Sequence, residues 1–341
     1  MQRIRNISQK TAAIAGTQTR RPPSVEVALA TCNSARYLRE LLDSLFGQSF
    51  RDFTLLVSDD GSTDATHIIL AGYAHRYPAR MRIIRSNEPA RGPLANFARL
   101  ADHLTADYAL FCDHDDVWLP NKIAVSIAKI RLLEKERGRE TPLLVHTDLV
   151  VVGADLKVLG PSLMHYQNMD PLRDDLVSLL ARNVVSGCSC IVNRPLYERA
   201  RPVPPVALMH DHWLALVASA VGGIGYIDRA TILYRQHGDN CIGATPIRAA
   251  YVRRRVEDLL IQGKRRRTLR RLSLQASELL SRLGQEMSLD HRRATFILAH
   301  LWSFGRWQRF RLMRRHRLLP EGFIAKIALF LALIRTRRQS I

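Results

Sequence analysis

Short apolar runs that alternate with amphipathic stretches set the strongest limit on how this chain can fold. Val25–Ala30 (VEVALA), Phe53–Ser58 (FTLLVS), Arg82–Arg85, Tyr108–Cys112 (YALFC) and Leu143–Val152 read as strands. Between the first two, SARYLRELLDSLFGQS places Tyr37, Leu38, Leu41, Leu42, Leu45 and Phe46 on one helical face, with Asn33 or Ser34 able to cap it. Leu94–Leu104 and Asp211–Val221 read as further helices, Cys188–Val192 and Tyr226–Arg235 as further strands. This alternation predicts an α/β fold with a mostly parallel central sheet and helices on both faces. Ligands of such sheets bind beyond the carboxyl ends of the strands. The polar clusters Thr31-Cys32-Asn33, Asp59-Asp60-Gly61-Ser62-Thr63-Asp64 and Asp113-His114-Asp115-Asp116 each follow a strand end.

Three carboxylates within four residues at 113–116 repel one another and favour a cation. An all-oxygen set suits Mg²⁺ or Mn²⁺, ions that keep waters and bridge substrate phosphates. A solvated turn with helix-capping aspartates accounts for either acidic cluster taken singly, since Asp-Gly is ordinary turn chemistry. Two such clusters at neighbouring strand ends favour a site.

Charge divides the chain. Its 341 residues carry a net +20, but residues 1–240 hold 28 basic against 25 acidic side chains, and residues 241–341 hold 23 against 6. That excludes a uniformly basic, histone-like protein. Residues 1–23 read as a flexible basic arm without the apolar run of a signal peptide. The five cysteines (Cys32, Cys112, Cys188, Cys190, Cys241) show no disulfide framework or zinc knuckle and read as reduced thiols of a cytoplasmic protein. From about residue 245 the pattern turns helical and basic, with Arg253-Arg254-Arg255, Lys264-Arg265-Arg266-Arg267 and Arg314-Arg315-His316-Arg317 among apolar residues. The longest apolar segment, Phe323–Ile334, is twelve residues with Lys326 inside it, short of the ~20 needed to span a bilayer. Arginine-rich amphipathic helices with tryptophans suit the surface of an anionic membrane, here the inner face of the cell membrane. A helical subdomain with a solvated basic face is the alternative. Nucleic acid ranks below both, because no recognised nucleic-acid motif accompanies the charge.

Five ordered segments carry a family resemblance: Val25–Asn33, Val57–Asp64, Phe111–Trp118 with Leu119-Pro-Asn-Lys122, Met209-His-Asp-His-Trp213, and Tyr234-Arg-Gln-His-Gly-Asp-Asn240. Over residues 24–244 the chain resembles the family 2 glycosyltransferases of GT-A fold, and within them the rhamnosyltransferase-like branch. The resemblance implies an inverting, metal-dependent transfer of a sugar, rhamnose or another deoxysugar among the candidates, from a UDP- or dTDP-linked donor. The basic tail adds the expectation that the acceptor hydroxyl belongs to a lipid-linked glycan of bacterial surface polysaccharide. Ala30, Thr31 and Asn33 would line the nucleobase pocket, with Asp59 or Asp60 on the pyrimidine N3–H. Arg91, Asn96, Asp113 and Arg235 would contact the rest of the donor. Asp113, Asp115 and His237 would hold the metal, and Asp211 would be the general base. Trp118, Gly187, Cys188, His212 and Trp213 would line the acceptor side. The resemblance leaves the basic region 245–341 outside it. A degenerate domain serving as scaffold or nucleic-acid module is the rival reading, and the joint retention of Asp113, Asp115 and Asp211 argues against it. Another metal-dependent enzyme on nucleoside diphosphates would show a Gly-rich phosphate loop near the first strand, and Ala30-Thr31-Cys32-Asn33 offers none.

Overall fold

In a computed structural model of the chain the described residues are 24–84, 91–238 and 262–319, with Ala244, Leu329 and Leu333. The expected arm 1–23, the boundary at 244/245, Arg253–Arg255 and most of the Phe323–Ile334 run lie outside them. The strands are β1 Val25–Thr31, β2 Thr54–Asp59, β3 Met81–Ile83, β4 Tyr108–Cys112, β5 Val117–Trp118, β6 Leu143–Gly153, β7 Val158–Gly160, β8 Ile191–Asn193 and β9 Gly223–Gln236. The helices of the sheet-bearing part are α1 Leu38–Phe46, α2 Thr66–Arg76, α3 Pro93–Asp102, α4 Lys122–Arg137, α5 Leu163–Tyr166, α6 Leu176–Ala181, α7 Arg194–Ala200 and α8 His210–Val221. Three more follow: α9 Gln262–Leu283, α10 Leu289–Ala299 and α11 Arg306–Arg315.

The strands form one sheet in the order β3-β2-β1-β4-β8-β6-β9-β5, with β7 beside β6. β3-β2-β1-β4 and β6-β9 run parallel, while β8, β5 and β7 pair antiparallel to their neighbours. The sheet is therefore mixed where the sequence pattern predicted mostly parallel pairing. The antiparallel members are two or three residues long, too short to leave a periodicity. β5 matters most for the site. The chain leaves β4 in the middle of the sheet, passes through residues 113–116 and pairs Val117–Trp118 with Leu233 and Ile232 of β9. The acidic loop is thereby laid across the strand ends and pinned on both sides.

Strand residues alternate between two apolar layers. Val27 and Leu29 of β1 pack with Leu38, Leu41, Leu42 and Leu45 of α1 and with α2 and α4. Ala28 and Ala30 face the other way, onto Phe97 and Leu100 of α3 and onto α6–α8. That second layer continues without interruption into the C-terminal helices. Leu269, Leu272, Ala276, Leu279 and Leu283 recur at helical spacing along α9 and join it, as do Ala294, Ile297 and Leu298 of α10 and Met313 of α11. Leu329 and Leu333, the two described residues of the twelve-residue apolar run, are buried in the same cluster. The basic region is thus built on the body, and its described apolar side chains largely face inward. Among the described residues no helix is long and apolar enough to cross a membrane. Cys32, Cys112, Cys188 and Cys190 are free thiols, the last three buried; Cys241 lies outside the described residues.

Candidate active site

The ends of β1 and β2 are sewn together by the residues expected around a nucleobase. Thr31 Oγ1 donates to Asp59 Oδ1 at 2.7 Å, and Ser62 donates through Oγ to the same oxygen and through N–H to Oδ2. Asn33, in the left-handed region at φ 47°, accepts Thr63 N–H on Oδ1 and donates its own N–H to Ser62 Oγ. Asp60 receives the N–H groups of Arg91 and Gly92, at 3.0 and 2.7 Å, and donates its own to Thr31 O. Asp59 is thus tied into its own loop, and Asp60 holds the start of α3. Asn96 is enclosed, its Nδ2 donating to Thr31 O and Ser58 O at 3.2 and 3.1 Å. Its amide staples two strand ends from beneath, a scaffold position where the resemblance implied a donor contact.

The acidic loop concentrates charge. Asp116 is fully buried, accepts Arg235 N–H on Oδ1 at 3.0 Å and sits with Asp113 and the Cys188 thiol, one ligand atom of each within 4.8 Å of the others. Burial, then the charges of Asp115 and Asp211, push the Asp113 carboxyl well up from its ordinary range. Burial and the charges of Asp115 and Asp113 do the same to Asp116. Asp115 Oδ2 meets His237 Nε2 at 2.9 Å, which brings the end of β9 onto the loop. Of the three expected metal residues, Asp115 and His237 are in contact and Asp113 lies within electrostatic reach. Asp116 is the member the resemblance did not assign. Crowded carboxylates of raised pKa are what a divalent cation relieves, so the residues present fit Mg²⁺ or Mn²⁺. The Cys188 thiol, a soft ligand, does not favour either ion.

Asp211 stands in the first turn of α8, opposite this loop. Its Oδ1 accepts His212 N–H at 2.5 Å and its Oδ2 accepts Gly187 N–H at 3.0 Å. Burial pushes its carboxyl up to about 6 against the pull of those two N–H groups. Gly187 opens a 3₁₀ turn, Gly187–Ser189, and a Cβ on it would come within 2.7 Å of the His210 ring. Glycine is therefore needed for the backbone to reach the carboxylate. Lys122, fully buried over the Trp118 ring, supports that turn by donating to Ser189 O at 3.2 Å.

Several expected ligand contacts have structural work here. Trp118 and Trp213 are 2% and 0% exposed, and Trp213 Nε1 donates to Ala200 O at 2.7 Å. Their rings fill the core and offer no stacking face to an acceptor. Every side of α8 is apolar after its first turn, which is the pattern of an enclosed helix and could have signalled the position of Trp213. His212 and Cys188 are also buried, the first donating from Nε2 to Leu179 O at 2.7 Å. Arg235, 2% exposed, spends its guanidinium on Asp115 O, Ala154 O and the Glu40 carboxylate and stacks over Tyr37 at 4.4 Å. It braces the acidic loop where a diphosphate contact was expected. Glu40, Tyr37 and Lys122 belong to this support. Their contacts with Arg235 and Ser189 join residues far apart in the chain, so the sequence pattern gave them no part in the site.

Residues 26–135 match the family model described as Glycosyl transferase family 2. The chain is similar to an uncharacterized protein of Mycobacterium bovis, 30% identical over 211 residues that make up 60% of this chain and 56% of that protein. It is 33% identical to the putative glycosyltransferase EpsE of Bacillus subtilis over 135 residues, 39% of this chain and 47% of the other. It is 26% identical to the dTDP-rhamnosyl transferase RfbG of Shigella flexneri over 228 residues, 63% of this chain and 74% of the other. The chain thus spans about half the length of the first two. Among solved structures, S. aureus TarS superimposes with a TM-score of 0.53 at 17% identity, covering 91% of this chain and 83% of that one. The mannosyltransferase PcManGT from Pyrobaculum calidifontis, in complex with GDP-Man and Mn²⁺, gives 0.51 at 16% identity, covering 92% and 81%. These likenesses bear out the GT-A type of α/β fold.

Proposed function

We propose, from the premise that residues 26–135 are a family 2 glycosyltransferase domain, that this chain moves a sugar from a nucleoside diphosphate to an acceptor hydroxyl with inversion at the anomeric carbon. The observation that carries the reading is Asp211. It is a partly buried carboxylate, aimed by two backbone N–H groups, and its charge is felt by Asp113 across the strand ends. With its pKa near 6 it is ionised at neutral pH yet more basic than an ordinary aspartate, which is the better state for a general base. As the hydroxyl oxygen bonds to the anomeric carbon, its proton passes to Asp211 while the bond to the diphosphate oxygen breaks on the opposite face. The acceptor proton becomes acidic only as that bond forms, so a carboxylate is strong enough to take it.

Asp113 and Asp115, with His237 on Asp115, would hold the metal, and Asp116 would add its charge. When bound, the cation would neutralise the charge developing on the leaving diphosphate. Thr31, Asn33, Asp59 and Asp60 would seat the nucleobase beside Ala30. The donor is dTDP- or UDP-linked, with rhamnose or another deoxysugar first among the sugars; the likeness to RfbG, named a dTDP-rhamnosyl transferase, supports the dTDP-rhamnose choice. For the acceptor we favour a lipid-linked glycan of surface polysaccharide at the inner face of the membrane. The support is the outer face of the C-terminal helices, where exposed Leu274, Phe296 and Trp307 are flanked by exposed arginines: Arg270 beside the first, Arg292 and Arg293 beside the second, Arg306 and Arg311 beside the third.

The test is a thermal-shift panel of UDP-glucose, UDP-N-acetylglucosamine, dTDP-rhamnose and GDP-mannose with and without Mn²⁺, followed by nucleoside diphosphate release from whichever stabilise. Stabilisation by a UDP or dTDP sugar that needs Mn²⁺, with turnover lost in Asp211→Asn, is the expected result. Full turnover in Asp211→Asn would remove the base assignment, and Mn²⁺-independent binding would remove the metal.

A further inference from the structure

The C-terminal region, far outside residues 26–135, reaches the strand-end site through a buried amide. Gln275 is 1% exposed on the face of α9 that packs against α8. Its Oε1 accepts Leu208 N–H at 2.8 Å, and its Nε2 lies 3.4 Å from His212 Nδ1. Burial pushes His212 down to about 4, so the ring is neutral and carries one donor and one acceptor nitrogen. Leu179 O can only accept, which puts the ring proton on Nε2 and leaves Nδ1 to accept from the Gln275 amide. Both partners agree, since the Gln275 oxygen is already committed to Leu208. His212 is the residue whose backbone N–H holds Asp211 Oδ1. Arg271, one turn before Gln275 on α9, donates to Ala207 O at 2.8 Å and secures the same segment.

We infer that Gln275 is a positioning residue for Asp211. It latches the His212 ring and the Leu208 amide to α9, so that the His212 N–H keeps the carboxylate turned toward the acidic loop. The basic region is then a working part of the catalytic site as well as a surface. This inference rests on Asp211 being the base, and misplacement of such a group by about 1 Å is enough to cost up to ~100-fold in rate.

The experiment compares the full-length chain with Gln275→Met, Asp211→Asn and the double variant. Methionine keeps the length and packing of the side chain and removes both hydrogen bonds. The readouts are kcat and donor KM for nucleoside diphosphate release, with dTDP-rhamnose and UDP-glucose as probes and Mn²⁺ present, and hydrogen exchange of the peptide Leu208–Trp213. Positioning predicts a kcat lowered about tenfold in Gln275→Met, donor KM within about twofold, and no further loss when Gln275→Met is added to Asp211→Asn, as expected for residues acting as a unit. It also predicts faster exchange at Leu208–Trp213 with α9 still protected, a measurement that needs no turnover. An unchanged kcat, an unchanged exchange rate, or the same fractional loss in the Asp211→Asn background would overturn the inference and leave the base assignment intact. Wild-type turnover in Asp211→Asn alone would remove the base assignment itself.

Discussion

The strand-end rim and the C-terminal helices carry charge in opposite ways. At the rim, Asp113, Asp115 and Asp116 of one loop converge with Asp211 of the first turn of α8, and burial together with mutual repulsion holds Asp113 and Asp116 far from their ordinary titration range. The C-terminal region carries far more net charge, 23 basic against 6 acidic residues from 241 onward, yet its described arginines mostly line outer faces. Net charge is therefore a poor guide to where chemistry happens. A near-balanced body hides a local excess of carboxylate, and a very basic region turns its charge to solvent while an apolar face completes the core. Dispersal costs little in water, whereas convergence under burial costs much and persists only where something uses it.

The sharpest way to break the comparison is at the proposed base. Asp211→Asn should lower kcat by about 10²–10⁴, the range general-base catalysis supplies, with donor binding by titration within a few-fold of wild type. The same change should raise the melting midpoint. A folded-state pKa raised to about 6 means the native state favours the protonated form, so ionised Asp211 costs stability as pH rises from about 4 through 6. A variant that is both slower and no more stable would indicate that Asp211 is held by more than the two N–H groups described.

The next test removes the inward half of the basic region's double face. Leu279 is fully buried on α9 within the layer shared with α6 and α8, so Leu279→Ala should cost about 2–5 kcal/mol by denaturant unfolding. A loss near zero would mean that the C-terminal helices ride on the body as a separate unit. Removing everything after Ala244 exposes that whole layer, and the truncated chain should be insoluble or molten.

A milder probe is pH. Asp211 must be ionised to act as base, so kcat/KM should fall about tenfold per unit as pH drops below about 6, and level above it. An acid limb near pH 4 would place Asp211 in a solvated setting, unlike the buried rim described here.

What could be read from the sequence follows the same divide. Thr31, Asp59 and Asp113 each sit at or just past a strand's carboxyl end, so the apolar runs were enough to locate their clusters, while their roles and His237 came through the family motifs. Asp211 was found through its motif alone. The supporting contacts were out of reach because they join residues distant in the chain: Arg235 with Glu40 across 195 positions, Lys122 with Ser189 across 67, Gln275 with Leu208 across 67. A tryptophan or arginine beside a motif looks alike whether it meets ligand or core. Only the packing showed that Trp118, Trp213 and Arg235 are enclosed.

The smallest expected effect tests the outward half of the double face. On α11, Trp307 is 65% exposed beside Arg311, Arg314 and Arg315, while Arg309 and Met313 point inward, Arg309 donating to Phe304 O and Trp302 O. If the outer face meets an anionic surface, each arginine there contributes roughly 1 kcal/mol near the membrane. Arg314→Gln and Arg315→Gln together should then weaken binding to phosphatidylglycerol-containing vesicles by about 30-fold at low salt, and less as salt rises and the Debye length shrinks. Because both side chains are solvated, melting should not change. Equal vesicle binding with and without these arginines would leave the face as solvated charge on a helical subdomain. The contrast between the two regions would then rest on the rim alone.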